Sequence, residues 1–215
     1  PQLYINPYIL KPPPHHNNTM NPKLKFEIKR KFIHLFALAY IGIYLYFQTN
    51  FNHSTGLIAL TSILAFFLIL EYYRILKKKK IPIIHIFWRG SEKNKLGGHV
   101  YFVLGAIIAF SVFDIQIAIT ALLMTIFGDM AAAIIGISFG KHWIQGLKDR
   151  AWEGVIAQFI VNIIIAYLIL NNVIVSIAMA LAATIVETLF SQVDDNLSIP
   201  LFSGLTAQIL GILIN

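Results

Sequence analysis

The chain has 215 residues, 57% of them hydrophobic and 13% charged. A water-soluble domain carries roughly 25% charged side chains, so lipid must surround most of this one; without cysteine it has neither a disulfide framework nor a thiolate zinc site. The net charge of +7 would suggest nucleic acid in a soluble protein, but in a membrane chain it reads as cytoplasmic-loop lysine and arginine, equally able to meet anionic headgroups or a nucleotide polyphosphate. No nucleic-acid partner is expected.

Residues 1–19 are rich in Pro, Asn, His and Tyr, including Pro12-Pro13-Pro14-His15-His16-Asn17-Asn18. Proline clusters interrupt helices, and no apolar run of a signal peptide is present in this stretch. It reads as a disordered or appended tail, with Met20 as a start and 20–215 as a single transmembrane domain. Apolar runs then follow at about Phe32–Gln48, Gly56–Leu76, His99–Phe113, Ile115–Phe139, Gly154–Leu170, Val173–Phe190 and Ile199–Ile214. Each approaches the ~17–25 residues that cross a bilayer core. The fold class expected is therefore all-α, a polytopic helical bundle of about seven transmembrane helices.

Orientation follows from the loops. Lys23, Lys25, Lys29, Arg30 and Lys31 precede the first run. Arg74, Lys77 to Lys80, Arg89, Lys93 and Lys95 lie between the second and third, and Lys141, Lys148 and Arg150 follow the fourth. The alternate loops, Thr49–Thr55, the stretch around Asp114, and Asn171-Asn172, carry no Lys or Arg. The positive-inside rule then puts the N-terminus in the cytoplasm and the C-terminus outside. With that threading His34, Glu71, Asp129, Glu187 and Asp194-Asp195-Asn196 all fall toward the cytoplasmic side. Ionisable groups in a bilayer are costly and usually functional, so one face implies one site.

The sharpest element is Gly128-Asp129-Met130-Ala131-Ala132-Ala133-Ile134-Ile135-Gly136-Ile137-Ser138-Phe139-Gly140-Lys141. Gly128, Ala132, Gly136 and Gly140 recur every four residues and share one helical stripe. Such a stripe alone reads as a packing seam between helices. With Asp129 beside it and Lys141 at its end it also reads as a phosphate site, the carboxylate holding Mg²⁺ and the bare backbone admitting phosphate oxygens. In the next loop, Lys148 and Arg150 could contact phosphate, with Glu153 as a metal ligand or helix cap. Asp194 and Asp195, followed by Asn196, suit a divalent cation but are also turn formers. Glu187 is a further acid within an apolar run. Arg30 and His34 share a helical face, and His34 could accept a proton, donate to phosphate, or bond a carbonyl. Gly97-Gly98 before His99 marks a hinge or a close backbone approach. His53 and His85 suggest no function. The chain contains no G-x-x-x-x-G-K-[ST] loop, so nucleotide chemistry here would need a membrane-embedded architecture.

The order of these elements resembles the CTP-dependent polyprenol kinase family, the dolichol kinase, phytol kinase and CTP-dependent diacylglycerol kinase group. The resemblance is carried by Lys29-Arg30-Lys31 with His34, by Gly128 through Lys141, by Glu153-Gly154, by Glu187, and by Asp194-Asp195-Asn196 with Pro200-Leu201. It covers roughly residues 29–204. One departure is that relatives often have Lys-Lys-Ser/Thr-x-Glu-Gly where this chain reads Lys148-Asp149-Arg150-Ala151-Trp152-Glu153-Gly154, without the hydroxyl. What the resemblance implies is phosphoryl transfer from CTP to the hydroxyl of a long-chain isoprenoid alcohol at the cytoplasmic boundary of the membrane. It implies Mg²⁺ on Asp129 with Asp194 or Asp195, and a nucleotide held through Gly128, Gly136, Gly140, Lys141, Lys148, Arg150, Glu153 and Asn196. Asp129 or Glu187 would take the proton, with His34 as a further catalytic residue. The expected partners are the lipid alcohol, the nucleotide and membrane lipid, with a homodimer as an open assembly state.

Two other readings compete. A CTP:phosphatidate cytidylyltransferase also combines a membrane aspartate, glycines and basic residues, but releases pyrophosphate. A secondary transporter would place its charges near the midplane and show an internal repeat, neither of which is evident in the sequence.

Overall fold

The computed structural model describes residues 31, 34–76, 95–147, 150–190 and 193–214. The tail at 1–19, the basic residues 23–30, the loop at 77–94 and Lys148 lie outside the described residues. Among those described there are seven helices and no strand. They are α1 (Ala37–Asn50), α2 (His53–Ile75), α3 (Gly98–Val112), α4 (Ile115–Phe139), α5 (Trp152–Leu170), α6 (Val173–Leu189) and α7 (Asp195–Ile214). Four of them, α2, α4, α5 and α7, are long and apolar enough to cross a membrane; α3 and α6 are shorter apolar helices. The protein is thus an all-helical membrane protein, and its helix order matches the succession of apolar runs.

Two of the three described turns away from the charged loops are built from asparagine. Asn52 accepts the Thr55 N–H (3.0 Å) while Thr55 Oγ1 accepts the Asn52 N–H (3.3 Å), a reciprocal cap that starts α2. Asn171 ends α5 in the left-handed region (φ 51°), and Asn172 caps α6 through the Val175 N–H (3.1 Å). Asparagine tolerates that conformation and supplies a capping oxygen. Between α3 and α4, Asp114 is tied to Gln208 of α7 by a reciprocal pair of hydrogen bonds, each 3.0 Å.

The core is mainly apolar, with Tyr44, Phe102, Leu122, Met124 and Met179 among its members, but α5 and α6 turn small and polar side chains inward and isoleucines outward. On α5 the buried residues are Gly154, Gln158, Asn162 and Ala166, spaced by four, whereas Ile156, Ile160 and Ile164 are exposed. On α6 Ser176, Ala180, Ala183, Thr184 and Glu187 are buried and Ile177, Leu181 and Ile185 exposed. Small and polar side chains let membrane helices approach closely and bond to one another, while lipid solvates the isoleucines. α4 and α5 approach closely. A Cβ on Gly154 would stand 2.6 Å from the Ala132 carbonyl oxygen and 3.1 Å from the Gly136 Cα.

Two irregularities shape the site. α4 widens into a π-helical turn at Met124–Gly128, directly before Asp129, a feature common at functional positions. α7 carries Pro200 in its interior. Proline has no N–H to give the carbonyl four residues earlier, here that of Asn196. That oxygen lies against Gly105 of α3, where a Cβ would be only 2.7 Å away.

Candidate active site

The helices alternate in direction, so the start of α3, α5 and α7 and the end of α2, α4 and α6 share one end of the bundle. The acids singled out above, apart from Asp114 at the other end, gather at or below it. Asp129 forms an ion pair with Lys31, which is 2% exposed, while the Asp129 side chain is 21% exposed. Arg150, in the loop before α5, bonds Oε1 of Glu187 through one guanidinium nitrogen and reaches Oδ2 of Asp195 through another at 3.5 Å. Burial opposes the charge on Arg150. The carboxylates of Glu187, Asp195 and Asp129 outweigh that and raise its pKa above the ordinary guanidinium value. Glu187 is fully buried, and its second oxygen accepts the side-chain amide N–H of Gln158 from α5.

The remaining residues frame this cluster. Asp194 accepts the backbone N–H of Asn196 (3.0 Å) and its amide N–H (2.7 Å), closing the turn that starts α7. The Asn196 amide lies against Gly98, where a Cβ would be 2.9 Å from Nδ2, so bare glycine lets α3 begin beside α7. His34 stands edge-on to Phe102 of α3, ring centroids 6.0 Å apart. Glu153 clamps the loop after α4. Its carboxylate accepts the backbone N–H groups of Lys141 (3.1 Å) and His142 (3.2 Å) and meets His142 Nδ1 at 2.7 Å. Lys141 itself is exposed.

The glycine stripe sits in helix contacts. A Cβ on Gly128 would meet the Asn162 amide oxygen at 2.4 Å, one on Gly136 would rest 3.6 Å from the Gly154 Cα, and one on Gly140 would stand 2.8 Å from the Ala151 Cβ. The seam therefore sets how near Asp129 on α4 comes to α5.

A second buried group adjoins the first. Arg74 donates to Glu71 (Nε to Oε2 3.0 Å) and to the Lys95 carbonyl, and His99 Nε2 lies 3.6 Å from Glu71 Oε1. This group holds the end of α2 to the start of α3.

Gln158, Asn162 and Thr184 were not singled out from the sequence, and Lys31 was named only within the basic stretch that carries the topology and the resemblance. Lys31 reads as a topology signal, although its spacing of three from His34 already puts both on one helical face. The spacing of Gly154, Gln158, Asn162 and Ala166 by four was a visible sign of an inward polar stripe.

Among the described residues no group of three His, Asp or Glu side chains is placed to hold a metal ion. Mg²⁺ ordinarily takes one or two carboxylates plus phosphate oxygens and water. Asp129 and Asp195, both felt by Arg150, supply that donor chemistry.

The chain is similar to lipid kinases. It is 34% identical over 139 residues to a probable chloroplastic phytol kinase of Triticum aestivum, covering 56% of this chain and 46% of that protein. It is 27% identical over 148 residues to CTP-dependent diacylglycerol kinase 1 of Saccharomyces cerevisiae, covering 65% and 49%. With phytol kinase 1 of Arabidopsis thaliana it shares 30% identity over 138 residues, covering 56% and 45%. The chain spans about half the length of the curated relatives it matches. No protein-family profile matches it, and no solved structure matches it. The resemblance read from the motifs holds: the relatives are phytol kinases and CTP-dependent diacylglycerol kinases.

Proposed function

We propose that this chain, similar to kinases whose substrates are lipid alcohols, transfers the γ-phosphoryl group of CTP to the hydroxyl of a long-chain isoprenoid alcohol of the polyprenol, dolichol or phytol type. The observation that carries the reading is the ion-paired cluster of Lys31, Asp129, Arg150, Glu187 and Asp195, with Lys31 and Glu187 buried, at one end of a bundle with lipid-facing walls. The site faces the cytoplasm, where CTP is available and where the basic loops point by the positive-inside rule.

Phosphoryl transfer asks for positioning and charge neutralisation rather than for a protein nucleophile. Lys31 and Arg150 meet the negative charge spread over the γ-phosphoryl oxygens. The alcohol oxygen bonds to the γ-phosphorus as the bond from that phosphorus to the β–γ bridging oxygen breaks, and CDP leaves. The alcohol proton passes to Glu187, which Arg150 and Gln158 hold in place. Asp129 and Asp195 would hold Mg²⁺, which neutralises triphosphate charge when bound. Gly128, Gly136 and Gly140 set the distance from Asp129 to α5. Lys141 and Lys148, with Glu153 at the start of α5 and Asn196 at the start of α7, would contact the nucleotide, and His34 follows Lys31 by three residues.

The test uses the full chain in lipid nanodiscs with Mg²⁺ and γ-labelled CTP or ATP, offered polyprenol, phytol and diacylglycerol. Label moving from CTP onto an isoprenoid alcohol is the expected result. A CDP-lipid with release of pyrophosphate would make it a cytidylyltransferase, and no product from either nucleotide would end the kinase reading.

A further inference from the structure

Directly below the charged cluster lies a second, uncharged one. Among the described residues, Gln158 Oε1, both amide atoms of Asn162, and Thr184 Oγ1 are buried without a hydrogen-bond partner. Gln158 and Asn162 are 0% exposed and Thr184 6%. Polar side chains of membrane helices normally bond across to a neighbour, and leaving a buried donor or acceptor unsatisfied is costly. Three such residues on two facing helices call for an occupant.

Their placement is regular. α5 and α6 are antiparallel, and Gln158 bonds Glu187 between them. One turn further along α5 is Asn162, about 6 Å deeper at ~1.5 Å per residue. Three residues back from Glu187 on α6 is Thr184, about 4.5 Å deeper. Asn162 and Thr184 are therefore at one level. Asn162 also lies on Gly128, the residue before Asp129, at the end of the π-helical turn of α4. The track thus runs from Glu187 to the side of Asp129.

We propose that Gln158, Asn162 and Thr184 form a binding site for a neutral hydroxyl group, the head of the lipid alcohol. The chemistry is specific. A hydroxyl gives one hydrogen bond and accepts up to two. The track offers acceptors at Gln158 Oε1 and Asn162 Oδ1, and donors at Asn162 Nδ2 and Thr184 Oγ1. It offers no charge, so it suits neither phosphate nor cation, which the layer above takes. Gln158 belongs to both layers: its amide N–H is spent on Glu187, which leaves Oε1 for the hydroxyl. An alcohol bound there presents its oxygen between Glu187 and Asp129. This assignment rests on the kinase reading for its purpose, but the binding itself is separable from it.

The experiment compares the parent chain with Asn162→Leu and Thr184→Val in nanodiscs, first without nucleotide and with hexadecanol as probe. The expected result is that hexadecanol raises the melting temperature of the parent and loses that effect in Asn162→Leu. In transfer assays the KM for the alcohol should rise about tenfold while the KM for CTP stays within about twofold, the loss of a hydrogen bond to one substrate only. Without ligand both variants should melt no lower than the parent, because unpartnered polar atoms are being replaced by apolar ones of similar shape. A lower melting point with both KM values rising together would make these residues helix glue and overturn the proposal. So would equal stabilisation by hexadecanol in parent and variants. A fall confined to lipid-independent CTP hydrolysis would show that the track orders water, and would also overturn it. A parent that binds hexadecanol through the track but phosphorylates no lipid would retain the hydroxyl site and sink the kinase reading alone.

Discussion

Arg150 joins two helices at once, one guanidinium nitrogen on Glu187 of α6 and another on Asp195 of α7 at 3.5 Å. Glu187 has no exposed side-chain surface, so this arginine is what makes a buried carboxylate tolerable. Removing one partner of a buried pair is strongly destabilising because the other charge is left uncompensated. Arg150→Ala should therefore destabilise the protein by about 3 kcal/mol and abolish transfer. Arg150→Lys keeps the charge but not the two-pronged reach, so it should recover most of the melting temperature and little of the activity. Thermal unfolding alongside product formation separates the two effects.

Asp129 and the buried Lys31 form the other ion pair of the cluster. If both act on the triphosphate, Asp129→Asn should lower turnover at least about a hundredfold, the scale seen when one group stabilising transition-state charge is removed. Lys31→Met should do comparable damage, and the double variant should be hardly worse than either single one, since paired groups are not additive. Unchanged turnover in Asp129→Asn would remove the central carboxylate from the scheme.

The α4–α5 seam makes a purely steric prediction. A methyl on Gly154 would press on the Ala132 carbonyl at 2.6 Å, which is backbone and must move. Gly154→Ala should cost about 1–3 kcal/mol, as overpacking does, and should lower activity by displacing Asp129. Among the described residues nothing lies within 4 Å of a Cβ added to Gly42, and Gly42→Ala serves as the control without overpacking in the same melting and transfer measurements.

What could be read in the sequence divides along physical lines. The apolar runs located the helices because lipid solvation demands length and composition that survive without tertiary context; α3 and Gly98 illustrate this, the expected span starting one residue from the observed helix. Asp129 and Glu187 stood out because a charge in an apolar run is rare. The neutral amides did not, since Gln158 and Asn162 carry no charge and only the packing of α5 turns them inward. Lys31 was masked by the topological use of its neighbours. The widened turn at Met124–Gly128 contains no proline; its one weak helix former is Gly128, which packs on Asn162 of α5, a contact that the sequence alone does not show.

Glu153 gives the last prediction. It closes the loop after α4 with two backbone N–H groups and His142, and that loop carries Lys141 and leads to Arg150. Glu153→Ala removes all three contacts and frees the loop while leaving the ion pairs of the cluster untouched. The expected outcome is a KM for the nucleotide raised about tenfold, with the KM for the lipid alcohol unchanged, if two to three lost hydrogen bonds of ~0.5–1.5 kcal/mol each are partly replaced by water. Glu153→Gln keeps one acceptor oxygen and should fall between the two. Steady-state kinetics with each substrate varied in turn reads this directly. A change in the lipid constant instead would place the loop over the acceptor rather than over the nucleotide.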